Sequence, residues 1–310
     1  VIVLTCCLFI TSVKSFSQSI TTGNGKVEIG VGIGPLFFLG DLGGSRGLGR
    51  TFIKDIDYPL TKLNKGFYLN IAATDWLGFR IAGNWGTLEG DDKQAPDAGG
   101  EEQFRKLRNL NFKSILLEAY AATEFYPTVF FEQYDEMQGK LRPYGVIGIG
   151  IFHFDPMTKT DAGTWVHLQP LHTEGQGFAE FPDRKPYKLT QMEIPMGFGV
   201  KYYVKENMYI GFEVLHRKLF TDYVDDVSTR YIDPALFNNY LSASDAALAR
   251  QLNYRGTFQF ANTNPGAIVG EVRGDPKQND AFFSTILRMG WRLNDNNNGE
   301  RRQMRCPRFY

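Results

Sequence analysis

Residues 191–219, "QMEIPMGFGVKYYVKENMYIGFEVLHRKL", decide the fold. Ile194, Met196, Phe198, Val200 and Tyr202 alternate with a second set that holds Glu193 and Lys201. After Glu206-Asn207 the pattern resumes, with Ile210, Phe212 and Val214 set against Glu213 and Arg217. A period of two sends successive side chains to opposite faces of a strand. The stretch therefore reads as a tight hairpin with one apolar and one charged face.

The same alternation recurs along the chain. "KVEIGVGIG" (26–34) sets Val27, Ile29, Val31 and Ile33 against Glu28 and glycines, and "PYGVIGIGIFHF" (143–154) sets isoleucines against glycines. "GFYLNIAATDWLGFRIAGNWG" (66–86) folds back about Thr74-Asp75, with Arg80 and Asn84 away from the apolar face. "FKSILLEAYAATEFY" (112–126) places Ser114, Glu118 and Tyr120 opposite Ile115, Leu117 and Ala119; "AFFSTILRMGWRL" (281–293) places Ser284, Arg288 and Arg292 opposite Leu287, Met289 and Trp291. These segments make about eight strands of roughly 9–12 residues, the length of a tilted strand crossing an outer membrane.

The connections alternate in length. They run long (about 40–65), short (74–76), long (88–110), medium (126–140), long (156–188), short (205–207) and very long (218–280). A transmembrane barrel has short turns at one end and long loops at the other, and an even strand count returns both termini to the short-turn side. A soluble sandwich shares the alternation but has no reason to gather its long loops at one end. Two further features favour the barrel. The apolar faces are nearly free of charge. Aromatic residues also gather at strand ends (Tyr68, Trp76, Trp85, Phe125, Tyr126, Tyr144, Phe152, Phe154, Tyr202, Phe212 and Trp291), as interfacial girdles require. The expected fold is all-β: a transmembrane antiparallel barrel of about eight strands, with long extracellular loops and short periplasmic turns.

Composition agrees. The 310 residues are 43% apolar with 33 glycines and 14% aromatics, a mixture that leans to β structure. The 34 basic and 34 acidic residues cancel, so no nucleic-acid footprint appears in the whole chain. The opening "VIVLTCCLFITSVKSFSQ" has the length of a signal-peptide apolar region, with Ser15 and Ser17 suited to the −3 and −1 positions of a cleavage site. It lacks a basic leader and reads as a signal clipped at its start. Lipidation at Cys6 is the weaker reading, because Thr5 is a poor predecessor and only five residues come before. The expected division is a signal at 1–17, a barrel domain at 18–293 and a basic periplasmic tail at 294–310. Cys6 and Cys7 leave with the signal, so the mature chain keeps one cysteine, Cys306, and an odd cysteine in an oxidising compartment suggests an intermolecular bond or a free thiol.

Glu28, Arg80, Glu118, Glu193, Lys201, Glu213, Arg217 and Arg288 fall on the faces turned away from lipid: four acids and four bases. Eight strands leave a lumen that side chains fill, and an unpaired buried ion costs several kcal/mol. The expected interior is a balanced ionic core that plugs the barrel and disfavours a diffusion pore.

Chemistry is sparse. His153, His167, His172 and His216 show no metal-ligand spacing. A lipid-modifying enzyme would need a Ser/His or Asp/His set at the outer rim; His153 and His216 fall near outer strand ends, but nothing fixes a serine beside either. No metal, cofactor or catalytic set is expected. Asp222, Asp225 and Asp226 in "FTDYVDDVS" read as a solvated acidic loop, with cation binding the alternative. "DPALFNNYLSASDAALARQL" (233–252) reads as a helix of the last long loop packed over the barrel mouth.

The segments "EIGVGIGPLFFLGDLG" (28–43), "PYGVIGIGIFHFDP" (143–156), "IPMGFGVKYYVKENMYIGFEVLHRKLFTDYVDDVST" (194–229) and "RCPRF" (305–309) resemble PorG-type outer-membrane proteins of the type IX secretion system of Bacteroidetes. "RKLFTDYVDDVS" and the terminal "CPRF" are the most specific parts. The resemblance implies a small barrel that links the outer membrane to a periplasmic ring built from a lipoprotein and its partner protein, in bacteria that glide and export proteases. It implies no catalytic residues, and it gives a contact role to Cys306 and its flanks. The tail suits such a role, because Arg301, Arg302, Arg305 and Arg308 fit an acidic protein face or lipid phosphates, and cationic neighbours favour a reactive thiolate at Cys306. Phe309 completes the expected contact set, and a disulfide from Cys306 to the partner is the working expectation. An enzyme acting on lipid and a passive pore or adhesin are the competing functions.

Overall fold

The computed structural model describes residues 26–42, 60–94, 105, 107–131, 137–256 and 268–293. The expected signal segment 1–17, with Cys6 and Cys7, and the expected tail 294–310, with Arg301, Arg302, Arg305, Cys306, Arg308 and Phe309, lie outside these residues.

Eight long strands carry the fold: β1 (Lys26–Leu39), β2 (Lys62–Ala72), β3 (Leu77–Asp91), β4 (Asn111–Phe125), β5 (Leu141–His153), β8 (Thr190–Lys205), β9 (Met208–Leu219) and β10 (Ala281–Arg292). Two short strands, β6 (Pro156–Lys159) and β7 (Trp165–His167), form a hairpin in the β5–β8 connection, and β6 pairs with the start of β4. Every long strand is antiparallel to both neighbours. The first and last strands close the ring, with Ile29 opposite Trp291 and Ile33 opposite Leu287. Among the long strands no edge remains, so the ladder pairs nearly all of their backbone, as a lipid environment demands. Residues 73–76, 126–140 and 206–207 connect strands at the end where β1 begins and β10 finishes; residues 40–61, 92–110, 154–189 and 220–280 connect them at the other.

The surface is inverted relative to a soluble protein. Ile81, Ile149, Phe198, Phe67, Ile115 and Leu287 all point outward and are exposed, Ile81 at 64%. Contiguous exposed apolar area on this scale is foreign to a water-facing domain and matches the lipid-facing band of a transmembrane barrel. The chain is a closed eight-stranded antiparallel barrel with the surface of an outer-membrane protein.

The expected aromatic girdle needs correction. Trp76, Trp85, Phe125, Tyr202, Phe212 and Trp291 do face outward, but Tyr68, Tyr126, Tyr144, Phe152 and Phe154 are buried inside. Strand parity is the reason: Tyr68 sits between outward-facing Phe67 and Leu69. The glycines explain how so narrow a lumen holds the rings. Tyr68 stands opposite Gly30, Tyr144 opposite Gly199 and Tyr209 opposite Gly290, each ring lying across the glycine of the next strand. The isoleucine–glycine alternation thus pairs small residues with large ones across the interior.

At the long-loop end an apolar plug closes the barrel. Leu36, Phe112, Phe152 and Phe282 join one buried cluster with Phe237 and with Ala246, Ala249 and Leu252. The last four belong to two helices of the final connection, α1 (Phe237–Tyr240) and α2 (Ala243–Asn253), which lie over the mouth as the sequence leads one to expect. Ser242 caps α2, its hydroxyl accepting from the Asp245 amide at 3.2 Å.

Candidate functional site

The interior contains three tiers of charge, each bridging strands that are distant around the ring. Nearest the short turns, Lys201 on β8 donates through Nζ to Glu28 on β1 at 2.7 Å, to Glu124 on β4 at 3.1 Å and to Tyr126 Oη at 2.7 Å. Arg292 on β10 donates to the other oxygen of Glu28 at 3.1 Å and to Tyr203 Oη at 2.8 Å. Asn70 adds a bond to Glu124 at 2.6 Å. Below them Arg142 closes the end, its guanidinium 3.9 Å from the centre of the Tyr126 ring.

In the middle tier Arg80 on β3 reaches across to Glu213 on β9 at 2.6 Å and also pairs with Glu124. Glu213 takes a second cation, Arg288, and a bond from Tyr144 Oη at 2.7 Å. The hydroxyls of Tyr68 and Tyr209 meet at 2.8 Å across the same level. In the upper tier Arg217 on β9 holds Glu118 on β4 through two nitrogens, Nε at 2.8 Å and Nη2 at 2.9 Å, while Asn84 donates to Glu118 at 2.8 Å.

All eight residues assigned to the interior from sequence are buried there. Two further charged members of the tiers, Glu124 and Arg292, lie outside that set. Both continue a visible alternation, Glu124 in phase with Glu118 and Tyr120, and Arg292 in phase with Arg288. With them the tiers hold five acids and five bases among the described residues, Arg142 at the end aside. Complete pairing does not follow from this equality. Glu193 is fully buried beside Glu118, with no ion pair of its own among the described residues. The neighbouring base, Arg217, is committed to Glu118. Side chains crossing the lumen on every tier, with the plug above them, leave a filled interior.

The acidic segment after β9 differs most from its expectation. Asp225 and Asp226 are fully buried and Asp222 nearly so, which overturns the reading of a solvated loop. The cap folds over them and gives them partners. Asp225 accepts the amides of Leu42 and Val227, each at 3.0 Å. Asp226 accepts Tyr187 Oη at 2.7 Å and the Thr173 hydroxyl at 2.5 Å. Asp280, just before β10, accepts the Val224 amide at 2.8 Å, and Asp41, just after β1, accepts the Asp275 amide at 2.8 Å. Glu174 binds Arg273 at 2.8 Å and the amides of Ser228 and Thr229 at 2.9 Å each. Carboxyls from four separate segments therefore stitch the loops together. Burial pushes the aspartates up: Asp41 and Asp226 to about 6, Asp222 to about 10, and Asp225 and Asp280 well above the ordinary range. Arg108 lowers Asp41 and Asp225, but it is also engaged by Asp92 through both nitrogens at 2.8 Å. These aspartates release their protons at higher pH than a surface acid does. No group of three His, Cys, Asp or Glu side chains among the described residues is arranged to hold a metal ion.

The histidines stand apart from one another. His153 bonds the Thr190 hydroxyl at 2.9 Å on the outer surface, His167 pairs with Asp155 at 2.8 Å, His172 lies tilted 6.2 Å from the Phe178 ring, and His216 lies half-buried on β9.

No protein-family model matches this chain, and no curated protein does. Among solved structures it is similar to neisserial surface protein A, at 7% identity and a TM-score of 0.40, with 87% of this chain and 100% of that one covered. It is also similar to the outer membrane protein OprG of Pseudomonas aeruginosa, at 11% identity and 0.40, covering 87% and 96%. A major outer membrane protein of Thermus thermophilus is similar at 10% identity and 0.39, covering 87% and 100%.

Proposed function

We propose that this barrel is a structural docking component of the outer membrane that serves a type IX secretion apparatus, anchoring a periplasmic ring of a lipoprotein and its partner protein. The observation that carries the reading is the filled lumen. A barrel whose interior is spent on ion pairs between distant strands, from Lys201–Glu28 to Arg217–Glu118, offers solutes no path. Its usefulness then lies in its ends. The secretion role itself rests on the resemblance of "RKLFTDYVDDVS" and "CPRF" to PorG-type proteins.

In this reading the short-turn end faces the periplasm and the tail beyond β10 reaches the ring. Arg301, Arg302, Arg305 and Arg308 meet an acidic face on the partner, Phe309 packs on it, and Cys306 forms a disulfide with it. The long loops face outward. Isolation of the intact barrel from membranes, with and without reductant, tests this. The proposal expects a ring lipoprotein and its partner to co-isolate, and a covalent band that disappears with reductant and with Cys306→Ser. A barrel recovered alone after mild cross-linking contradicts docking; co-isolation without the covalent band contradicts the disulfide only.

A further inference from the structure

The β4–β5 connection differs from the other two short turns. Residues 73–76 and 206–207 simply reverse the chain, whereas 126–140 is longer and is fastened at both ends. At its start Tyr126 bonds its amide to the Trp76 carbonyl at 2.9 Å, and Val129 packs against the tyrosine-rich interior. At its finish Met137 is buried in that same cluster, and Glu206 accepts the amides of Met137 and Gln138 at 3.1 and 2.8 Å. The Gly139 amide then bonds the Tyr203 carbonyl at 2.8 Å. The ends of the connection are thus drawn into the barrel mouth.

Between these anchors the chain turns two large rings the other way. Phe130 is 61% exposed and Phe131 91% exposed, the latter more open than any other large apolar side chain among the described residues. Phe130 is not isolated. It lies 6.4 Å from Trp76 and 6.2 Å from Phe125, and those two lie 6.2 Å from each other. Trp76 and Phe125 belong to the outward belt, together with Phe79 and Ile81. The turn is amphipathic, with Val129 inward and Phe130 outward, and its apolar side continues the lipid-facing belt past the ends of β3 and β4. In water such a patch would cost free energy with nothing to offset it. At the acyl–headgroup boundary aromatic rings are favoured.

We propose that the described start of the β4–β5 connection, residues 127–131, is a membrane anchor, in which Phe130 and Phe131 insert into the leaflet at the short-turn end and extend the belt beyond β3 and β4. The occupant of this surface is lipid, because the patch is continuous with the face that lipid already covers. An extension at this point helps to set the depth at which the β3–β4 sector of the wall sits in the leaflet. The inference stands apart from the docking reading and survives its failure.

The test places a reporter at the exposed ring. In full-length protein with Trp76, Trp85, Trp165 and Trp291 each replaced by phenylalanine, Phe131→Trp provides a single emitter. The protein is reconstituted in phosphatidylcholine vesicles brominated high on the acyl chain. The anchor predicts loss of emission in these vesicles relative to unbrominated ones, a blue-shifted maximum, and little quenching by aqueous acrylamide. Strong acrylamide quenching with no effect of bromine would overturn it and leave the patch to a protein partner or to water. Should the multiple variant not fold, Phe131→Trp in the otherwise native chain gives the same reading as emission in excess of the parent.

Discussion

Arg217 holds Glu118 in a two-pronged grip, with Nε on one carboxylate oxygen at 2.8 Å and Nη2 on the other at 2.9 Å. The two residues come from β9 and β4, which β8 and β5 separate in the ring, so the pair acts as a strut between strands that do not touch. Its geometry is that of the strongest carboxylate–guanidinium pairs. Removing one partner leaves the other buried and charged. Arg217→Ala takes the base from Glu118, and from Glu193 beside it, and is therefore expected to destabilise the barrel by about 3–5 kcal/mol, read as a lower temperature for conversion of the fast-migrating folded band to the slow unfolded one on semi-native gels. An unchanged conversion temperature would show that the strut does not bear on stability.

Arg80 serves two carboxylates, Glu124 and Glu213, in the middle tier. Arg80→Ala deprives both at once, although Lys201 still reaches Glu124 and Arg288 still reaches Glu213. The expected loss is smaller than for the single strut, about 1–3 kcal/mol, because each acid keeps a second base. Urea unfolding in detergent micelles measures it.

Gly290 lies beneath the ring of Tyr209, and a Cβ there would overlap the ring atoms. Gly290→Ala is expected to cost about 1–3 kcal/mol by displacing the ring and breaking its bond to Tyr68. In a Tyr209→Val background the overlap is gone, and the same substitution should cost much less. Additive costs in this double-mutant cycle would contradict the pairing of glycine with tyrosine.

Much of this was legible in the sequence, for a physical reason. Lipid on one side and a narrow lumen on the other force strict alternation, so the hairpin at 191–219 shows its two faces openly. Parity alone sends Glu28, Arg80 and Lys201 inward. The tyrosines were hidden because ring type does not reveal a face: Tyr202 looks at lipid and Tyr203, its neighbour, is wholly buried. The acid cluster was hidden for a different reason. Asp41, Asp222 and Asp280 lie far apart in the chain, and only the folding of long loops over the mouth brings them under cover. Burial in a loop leaves no period to read.

That cluster gives the cap a pH dependence with a definite sign. A carboxyl raised by burial keeps a proton in the fold that the unfolded chain has released, so stability falls as pH rises from the ordinary carboxylate value to the raised one. For Asp41 and Asp226 that window closes at about 6; for Asp222 it extends to about 10. Proteolysis within residues 220–280 should accordingly be slower at about pH 5 than at about pH 9. Asp222→Asn should remove part of the change in the upper part of that range, with Asp225 and Asp280 supplying the rest. Faster cleavage on the acid side, after correction for the protease's own profile, would reverse the sign and refute the account of the cap.

The central claim is that the barrel is filled and passes nothing. Purified protein reconstituted in a planar bilayer at neutral pH tests it directly. The ion pairs that span the lumen predict no stable conductance above the bare membrane. Steady, reproducible current steps from the unaltered chain would contradict the filled lumen, and with it the argument that the barrel works through its ends.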